Sequence, residues 1–221
     1  EMRYSPEKQE DSTAGLWKMS KPWLKWWPQG VPLSINYPVI PLYAFLSNSA
    51  RKYPNRTALI FYGNHISYAS LGEVASRFAN ALQYLGVRKG DRVALMLPNI
   101  PQFPIAYYGV LMAGGTVVAL NPLNEDAEIG RELADSGAEI IIVLDRFLQK
   151  TETAREGMPV KNIVATKGEA YLPQSLKILS GLKKEKYSTK GFPLLETLVK
   201  EHPTLAEGAK VNPKEDLAVI Q

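Results

Sequence analysis

Three short apolar runs, separated by segments with helical spacing, constrain the fold of this chain more than any other feature. The runs cover residues 91–97, 116–120 and 139–144. A strand that lacks polar alternation is buried on both faces, as in parallel sheets covered by helices. Strands and helices that alternate along a chain form parallel sheets with right-handed crossovers. The sequence therefore predicts an α/β domain with a mostly parallel sheet and flanking helices.

The residues ahead of the first run predict one helix and one hairpin. Apolar residues recur with helical spacing over residues 42–50. Residues 57–62 and 66–68 predict two short strands, and Gly63 with Asn64 predicts the tight turn between them.

Two further helices are predicted on either side of the first apolar run. Ser70 and Glu73 form a capping-box pair at the start of an apolar stripe, and Gly86 ends that helix. A helix over residues 105–112 follows a segment interrupted by three prolines, so the uncharged stretch around it is too short and broken to span a bilayer.

The C-terminal half has a weaker pattern. Asn124 predicts the cap of a helix that ends at Gly137. We expect residues 167–192 to form a loop or insertion, and residues 192–199 to form a short helix. Residues 216–220 predict another buried strand. The α/β subdomain is expected to be incomplete at this C-terminal end. Apolar surface left uncovered there predicts a homodimer or low stability.

Residues 1–40 predict an extended leader ahead of a subdomain over residues 41–221. Prolines at this density exclude regular helix, and the segment contains Trp17, Trp23, Trp26 and Trp27. One interpretation is a leader clamped to the domain by its indole rings. The other is a weak membrane-surface contact, with the rings beside Lys18, Lys21 and Lys25.

Composition excludes several classes of function. There are no cysteines, which removes disulfides and thiol chemistry and fits a cytoplasmic location. The two histidines, His65 and His202, predict surface or capping residues, and no metal site is expected. The net charge is only +4 and is interspersed, so we expect no nucleic-acid partner. The densest basic patch, residues 183–186, predicts a solvated loop.

No catalytic signature is visible in the 221 residues. The Walker phosphate loop, the Gly-x-Ser-x-Gly elbow and the Gly-x-Gly-x-x-Gly fingerprint are all absent, and the last absence disfavours a nicotinamide-dependent dehydrogenase. Glu73, Asp91 and Asp145 lie beside predicted elements, where they are explained as cap or strand-end residues. No catalytic residue is therefore assigned.

Several short motifs nevertheless resemble the adenylate-forming superfamily of acyl-CoA ligases, luciferases and peptide-synthetase adenylation domains. In order, they are Ile66-Ser67-Tyr68-Ala69-Ser70-Leu71, Gly90-Asp91-Arg92-Val93-Ala94, Leu97-Pro98-Asn99, Leu111-Met112-Ala113-Gly114-Gly115-Thr116-Val117-Val118, Asn121-Pro122-Leu123 and Leu133-Ala134-Asp135-Ser136-Gly137-Ala138. The order and spacing of these motifs over residues 40–145 resemble those of the superfamily, and the last motif is similar to one common in long- or medium-chain fatty acyl-CoA ligases. The resemblance implies the N-terminal subdomain of such an enzyme.

The resemblance also implies a reaction and its cofactors. A carboxylic acid would react with ATP and Mg²⁺ to give an acyl-adenylate, and CoA would then displace AMP. The phosphate loop of the family follows a strand similar to residues 216–220. The 221 residues alone are therefore expected to bind no cofactor tightly and to be inactive. An aryl-acid or coumarate-type ligase and a non-catalytic interaction module remain alternatives.

One candidate binding site follows from the resemblance. The turn Asn121, Pro122 and Leu123 corresponds to a position near the CoA channel of acyl-CoA ligases, which implies backbone or packing contacts to CoA. An ordinary strand-to-helix turn is the alternative interpretation.

Overall fold

The three apolar runs form the centre of a parallel sheet. The computed structural model describes residues 22–181 and 187–221. In chain order the helices and strands are α1 (Tyr43–Lys52), β1 (Thr57–Phe61), β2 (Asn64–Ser67), α2 (Tyr68–Tyr84), β3 (Arg92–Met96), α3 (Gln102–Ala113), β4 (Thr116–Ala119), α4 (Asp126–Ser136), β5 (Ile140–Leu144), α5 (Leu148–Ala154), β6 (Asn162–Thr166), α6 (Gln174–Gly181), α7 (Leu195–Glu201) and β7 (Val219–Ile220).

The sheet has the strand order β6-β5-β3-β4-β7 across the described residues, and every neighbouring pair is parallel. Val93 at the centre aligns with Val117 on one side and Ile140 on the other. Helices lie on both faces, so the predicted α/β class is confirmed.

Two separate apolar clusters explain why the central strands are apolar throughout. Val93 and Leu95 point to the face covered by α2, α3 and α7. Ala94 and Met96, which alternate with them, point to the face covered by α4 and α5. All four side chains are fully buried. Because both faces are covered, these four positions have no room for an exposed polar side chain.

The predicted hairpin is present, with a shifted turn. Strands β1 and β2 pair antiparallel, and Phe61 aligns with Asn64. The two turn residues are therefore Tyr62 and Gly63, whose φ angles are 47° and 80°. Positive φ at both central residues is the type I′ pattern, which matches strand twist. Asn64 is thus the first residue of β2 rather than part of the turn.

The predicted capping box at Ser70 is wrong. Helix α2 begins at Tyr68, and Ser67 is its N-cap residue. The Ser70 N–H donates to Ser67 Oγ at 3.2 Å, and Glu73 pairs with Arg77 at 2.9 Å. Strand β2 runs directly into the helix, so the hydroxyl at the strand end reaches the free N–H groups first.

Two other helix starts differ from the prediction. Helix α3 begins at Gln102, three residues early, because Pro104 lies in the first turn, where no intrahelical N–H donor is needed. Helix α4 has Glu125 at its N-cap position without a side-chain bond. The Asn124 amide, predicted to cap this helix, donates instead to Glu132 Oε1 at 3.2 Å.

The C-terminal half is more regular than predicted. Helix α5 and strand β6 follow β5, and residues 167–192, predicted as a loop, contain α6. The short helix predicted near residues 192–199 is present as α7. The strand predicted over residues 216–220 is present only as β7, Val219–Ile220, and the prediction that it is buried is wrong, because β7 lies at one edge of the sheet with Val219 39% exposed.

The chain divides into two compact units, Glu1–Pro38 and Val39–Gln221. The described part of the first unit starts with a single 3₁₀ turn, Pro22–Trp26, where the sequence predicts extended chain. Trp27 Nε1 donates to the Val31 carbonyl at 2.9 Å. Trp17, Lys18 and Lys21 lie outside the described residues, so the clamp and the membrane contact of the leader stay predictions.

None of the helices within the described residues has both the length and the apolar composition needed to cross a membrane.

Candidate functional site

The carboxyl ends of the parallel strands define the edge where open α/β sheets bind ligands. The turn Asn121-Pro122-Leu123 follows β4 at this edge. It is closed by its own first residue. Asn121 Oδ1 accepts a hydrogen bond from the Leu123 N–H at 3.0 Å, and the Asn121 carbonyl accepts one from the Asn124 N–H at 3.1 Å. The Leu123 side chain is 80% exposed, so this turn presents an apolar side chain at its surface.

A lysine from helix α5 holds this turn. Lys150 of α5 donates to the carbonyl oxygens of Pro122, at 3.4 Å, and of Asn124. Its Nζ also lies 3.8 Å from Asp126 Oδ1. The Lys150 side chain is only 24% exposed, and its ammonium group contacts the turn and the start of α4. Two backbone carbonyls and one carboxylate thus converge on a single cation.

The strand order places a topological switch point between β3 and β5. Helix α3 leaves β3 on one face of the sheet, and α5 leaves β5 on the other. Such a switch opens a crevice at the carboxyl ends of the two strands. Here Gln102 Nε2 donates to the Lys167 carbonyl at 2.9 Å, and the Gly168 N–H donates to Asp145 Oδ2 at 3.4 Å. Residues 167–168 of the chain therefore fill this crevice.

Two polar groups in the crevice have unusual environments. Burial raises the pKa of Asp145 above its ordinary value, although backbone N–H groups of Arg146 and Gly168 act in the opposite direction. Gln102 is fully buried, and its Oε1 has no hydrogen-bond partner. Both side chains fasten the segment that follows β6.

A recess of about 400 Å³ lies beside the end of β6. Lys167, Lys177 and Lys200 line it together with Tyr171 and Glu196. Burial, with a smaller contribution from the Glu196 carboxylate, raises the pKa of Tyr171 to about 12. Tyr171 therefore stays a neutral phenol at physiological pH.

A cavity of about 440 Å³ lies at the amino ends of the strands. Gly90, Gly115 and Thr116, which precede or begin strands, line it together with Tyr43 and Leu217. Thr116 Oγ1 already donates to the Leu217 carbonyl at 3.1 Å. Because ligands of open α/β sheets bind at the carboxyl ends of strands, the smaller features at that edge are the better candidates.

The two histidines lie at a helix end and on an exposed strand, as predicted for surface or capping residues. His202 is the C-cap residue of α7, with Nδ1 2.9 Å from the Leu198 carbonyl oxygen, and exposed His65 lies 3.3 Å from Thr57 Oγ1. Among the residues that the structure describes, no group of three His, Asp or Glu side chains could hold a metal ion.

Sequence comparison identifies the family. The model of the family described as "AMP-binding enzyme" matches residues 46–221. The chain belongs to the AMP-binding enzymes. The resemblance drawn from the short motifs is therefore confirmed. The first motif lies on β2 and α2, the last lies at the end of α4, and the others lie in or beside β3 and β4.

Curated relatives of this AMP-binding chain include ligases for long-chain fatty acids. It is 37% identical over 208 residues to the long-chain-fatty-acid–CoA ligase of Bacillus subtilis, covering 91% of this chain and 37% of that protein. The ligase of the same description from Yersinia pestis is 39% identical over 151 residues, which are 67% of this chain and 27% of that protein. The chain thus spans little more than a third of the Bacillus relative.

A solved structure shows the same fold. The anthranilate CoA ligase AuaEII, in complex with anthranoyl-AMP, superposes with a TM-score of 0.70 at 22% identity. The match covers 83% of this AMP-binding chain and 32% of the other chain.

Sequence reasoning located the turn but missed what holds it. Asn121, Pro122 and Leu123 lie together at the carboxyl end of β4, as the motif implies. Lys150 and Gln102, which fasten this edge of the AMP-binding domain, were not singled out. Lys150 lies 26 residues beyond Asn124 in a segment with weak periodicity, so only the packing of α5 brings the two together.

Proposed function

We propose that this chain is the N-terminal part of an ATP-dependent, AMP-forming ligase that joins a fatty acid to CoA. The observation that carries the proposal is the 37% identity to the long-chain-fatty-acid–CoA ligase of Bacillus subtilis over 91% of the chain. In the reaction, the fatty acid carboxylate attacks the α-phosphorus of ATP and pyrophosphate leaves. The CoA thiol then attacks the acyl carbon and AMP leaves.

Of the three cofactors of such a ligase, we propose that only CoA contacts the described residues. ATP and Mg²⁺ do not fit the described residues, because no acidic cluster is present among them and the phosphate loop of the family does not occur in the 221-residue sequence. The described residues are therefore not proposed to hold ATP or Mg²⁺. The proposed role of this part of the enzyme is to build the sheet on which the reaction site is assembled.

CoA is proposed to contact the turn after β4. The Leu123 and Asn124 N–H groups are already bonded to Asn121, and the carbonyls of Pro122 and Asn124 already accept from Lys150. Leu123 is exposed, which favours a packing contact to an apolar part of CoA over backbone hydrogen bonds. Asn121 and Pro122 would shape the turn that presents Leu123.

The experiment uses the complete ligase that contains this chain. We expect acyl-CoA and AMP to form from ATP, CoA and palmitate, and we expect Leu123→Ser to raise KM for CoA about fivefold, as for about 1 kcal/mol of lost apolar contact. KM for ATP should not change. Turnover of benzoate or coumarate in preference to palmitate would assign an aryl-acid ligase, and no AMP from any acid would overturn the proposal.

Two further properties are proposals of the same kind. A cytoplasmic location agrees with the absence of cysteine. A homodimer agrees with the exposure of Leu217 and Val219 around the edge strand β7.

A further inference from the structure

One long segment connects α7 to the edge strand β7. Residues 202–218 contain neither helix nor strand, because α7 ends at Glu201 and β7 begins at Val219. Connections of more than about 12–15 residues without regular structure are uncommon in compact domains, and ordered ones usually serve a function. We call residues 202–218 the strap.

The first part of the strap is fastened to α2. Asn80 Nδ2 donates to the Pro203 carbonyl at 3.0 Å, and the Leu205 N–H donates to Ser76 Oγ at 2.9 Å. Both bonds are made to backbone groups of the strap, so they fix its path along the helix.

Tyr43 and the end of α3 hold the middle of the strap. The Tyr43 hydroxyl donates to the Ala209 carbonyl at 3.0 Å, and the Ala209 N–H donates to the Met112 carbonyl at 2.8 Å. Burial, with a smaller contribution from the Glu207 carboxylate, raises the pKa of Tyr43, so its hydroxyl stays protonated and able to donate. A Cβ added at Gly208 would lie 2.7 Å from the Tyr43 ring. The strap therefore passes Tyr43 at a distance that only glycine allows.

The last part of the strap leads directly into β7. Thr116 Oγ1 donates to the Leu217 carbonyl at 3.1 Å, and the Val117 N–H donates to the Ala218 carbonyl at 3.0 Å. Strand β7 has only two residues, which align with Val117 and Val118 of β4. So short a strand does little to define its own register, and a slip by one residue would turn its side chains to the opposite faces. The strap therefore sets the register of β7.

The register of β7 decides where its backbone reaches the carboxyl edge of the sheet. Strand β7 is parallel to β4, and Ile220 aligns with Val118, so the two strands end at the same edge. The turn proposed to contact CoA, residues 121–123, follows β4 there. A misplacement of reacting groups by about 1 Å can lower a turnover rate about 100-fold. A reaction at this edge therefore depends on where β7 lies.

We propose that Tyr43 is a positioning residue of the ligase, which holds Gly208 and Ala209 of the strap and thereby keeps β7 in register. Tyr43 lies at the start of α1, 166 residues before Ala209, and acts on the carboxyl edge only through the strap. The inference rests on the proposed function, because it assigns Tyr43 a role in that reaction. The hold of the strap on β7 is a separate property that can be measured without turnover.

The experiment introduces Gly208→Ala into the complete ligase that contains this chain. The φ of Gly208 lies outside the left-handed region, so alanine is disfavoured only by its contact with the Tyr43 ring. We expect faster amide hydrogen exchange over residues 217–220, and a kcat about tenfold lower, as for a shift of a few tenths of an ångström. The KM values for ATP, CoA and palmitate should change less than about twofold, because no contact to the bound substrates is removed.

Two controls separate positioning from a loss of stability. Gly109→Ala places a Cβ 2.9 Å from the Phe78 ring, in the packing of α3 against α2. Overpacking should make both alanine variants unfold at lower urea concentration, but Gly109→Ala should keep the kcat and the exchange over residues 217–220 of the unaltered enzyme. Tyr43→Leu removes the three atoms that a Cβ at Gly208 would meet, so adding Gly208→Ala to Tyr43→Leu should lower kcat no further.

The proposal is overturned if Gly208→Ala leaves exchange over residues 217–220 unchanged, or if exchange becomes faster while kcat stays the same. It is also overturned if Gly109→Ala loses as much kcat, or if the effects of Tyr43→Leu and Gly208→Ala are additive. An unaltered ligase that forms no AMP from any acid would instead overturn the proposed function, and hydrogen exchange would still decide whether the strap holds β7.

Discussion

Lys150 donates a hydrogen bond to the carbonyl oxygen of Pro122 at a distance of 3.4 Å, so a helix on one face of the sheet holds the turn at the end of β4. The same ammonium group donates to the Asn124 carbonyl. Because both acceptors are backbone atoms, the contact fixes the course of the chain rather than the rotamer of a neighbour. It thus restrains the turn from outside the turn's own sequence.

Lys150→Met should loosen this turn. We expect a loss of about 1–2 kcal/mol in the free energy of unfolding, since hydrogen bonds from a charged donor are lost in a partly buried place. Amide hydrogen exchange over residues 121–126 should become faster, and Lys150→Arg should restore part of the protection. Lys161→Met removes only an exposed ion pair with Glu139 and should cost less than about 0.5 kcal/mol. Equal losses in both methionine variants would contradict the assigned role.

Gly114 should be the least replaceable of the glycines at positive φ. Its φ is 97°, and a Cβ there would lie 2.8 Å from Ala209 Cβ. Gly86 has a φ of 101° but open space around it, so Gly86→Ala costs only backbone strain, about 1–2 kcal/mol. Gly114→Ala should cost at least about 1 kcal/mol more, because packed atoms must move. Urea unfolding of the two variants measures the difference, and equal costs would refute the close approach.

Asp145 and Asp216 should give opposite pH dependences of stability. The raised pKa of Asp145 means that the folded state holds its proton more tightly, so its contribution falls as pH rises from 3.8 through the raised pKa. The side-chain hydrogen bond from Lys89 lowers the pKa of Asp216, so its contribution is present above 3.8 and falls as pH drops through the lowered pKa.

Unfolding by urea across this acidic range separates the two aspartates. Asp145→Asn should flatten the decline in stability toward neutral pH, and Asp216→Asn should flatten the decline toward acid. The second effect will be small, because Asp216 and its partner Lys89 lie at the surface, where solvent screens their interaction. Identical pH profiles for both variants would show that neither environment is as described.

The edge strand β7 should mediate self-association of the 221-residue chain. Leu217 and Val219 are 67% and 39% exposed, and edge strands offer unpaired backbone groups. Light scattering after size exclusion should show a concentration-dependent dimer, and Val219→Lys should make it monomeric. A Tyr84→Lys variant, altered far from β7 in sequence, should still dimerise. A chain that stays monomeric at all concentrations would remove this prediction.

The central strands could be predicted from sequence because burial on both faces leaves an unmistakable apolar run, as in β5 with its five buried residues. Strand β6 could not, since Asn162 and Thr166 make it resemble an ordinary polar segment. Helix α6 escaped prediction because it has only eight residues and ends in glycine. Short elements like these depend on the sheet they pack against more than on their own propensity.

The candidate site was predictable only in part for a related reason. Asn121 and Leu123 lie two residues apart in sequence, and their turn follows directly from the end of an apolar strand. The hydrogen bond of Gln102 to the Lys167 carbonyl spans 65 residues, and that of Asn64 to the Tyr171 carbonyl spans 107. No local pattern signals such contacts, since they exist only once the sheet has set its strand order.

The pairing of β4 with β7 has a consequence for synthesis in the cell. Thr116 at the start of β4 bonds to Leu217, 101 residues later. At about 5–20 residues per second, a ribosome takes about 5–20 s to make that stretch. During this interval β3, β4 and β5 can already assemble, while one flank of β4 stays open to other nascent chains. A chaperone that shields this flank would therefore act on a partly built sheet, before the last strand emerges.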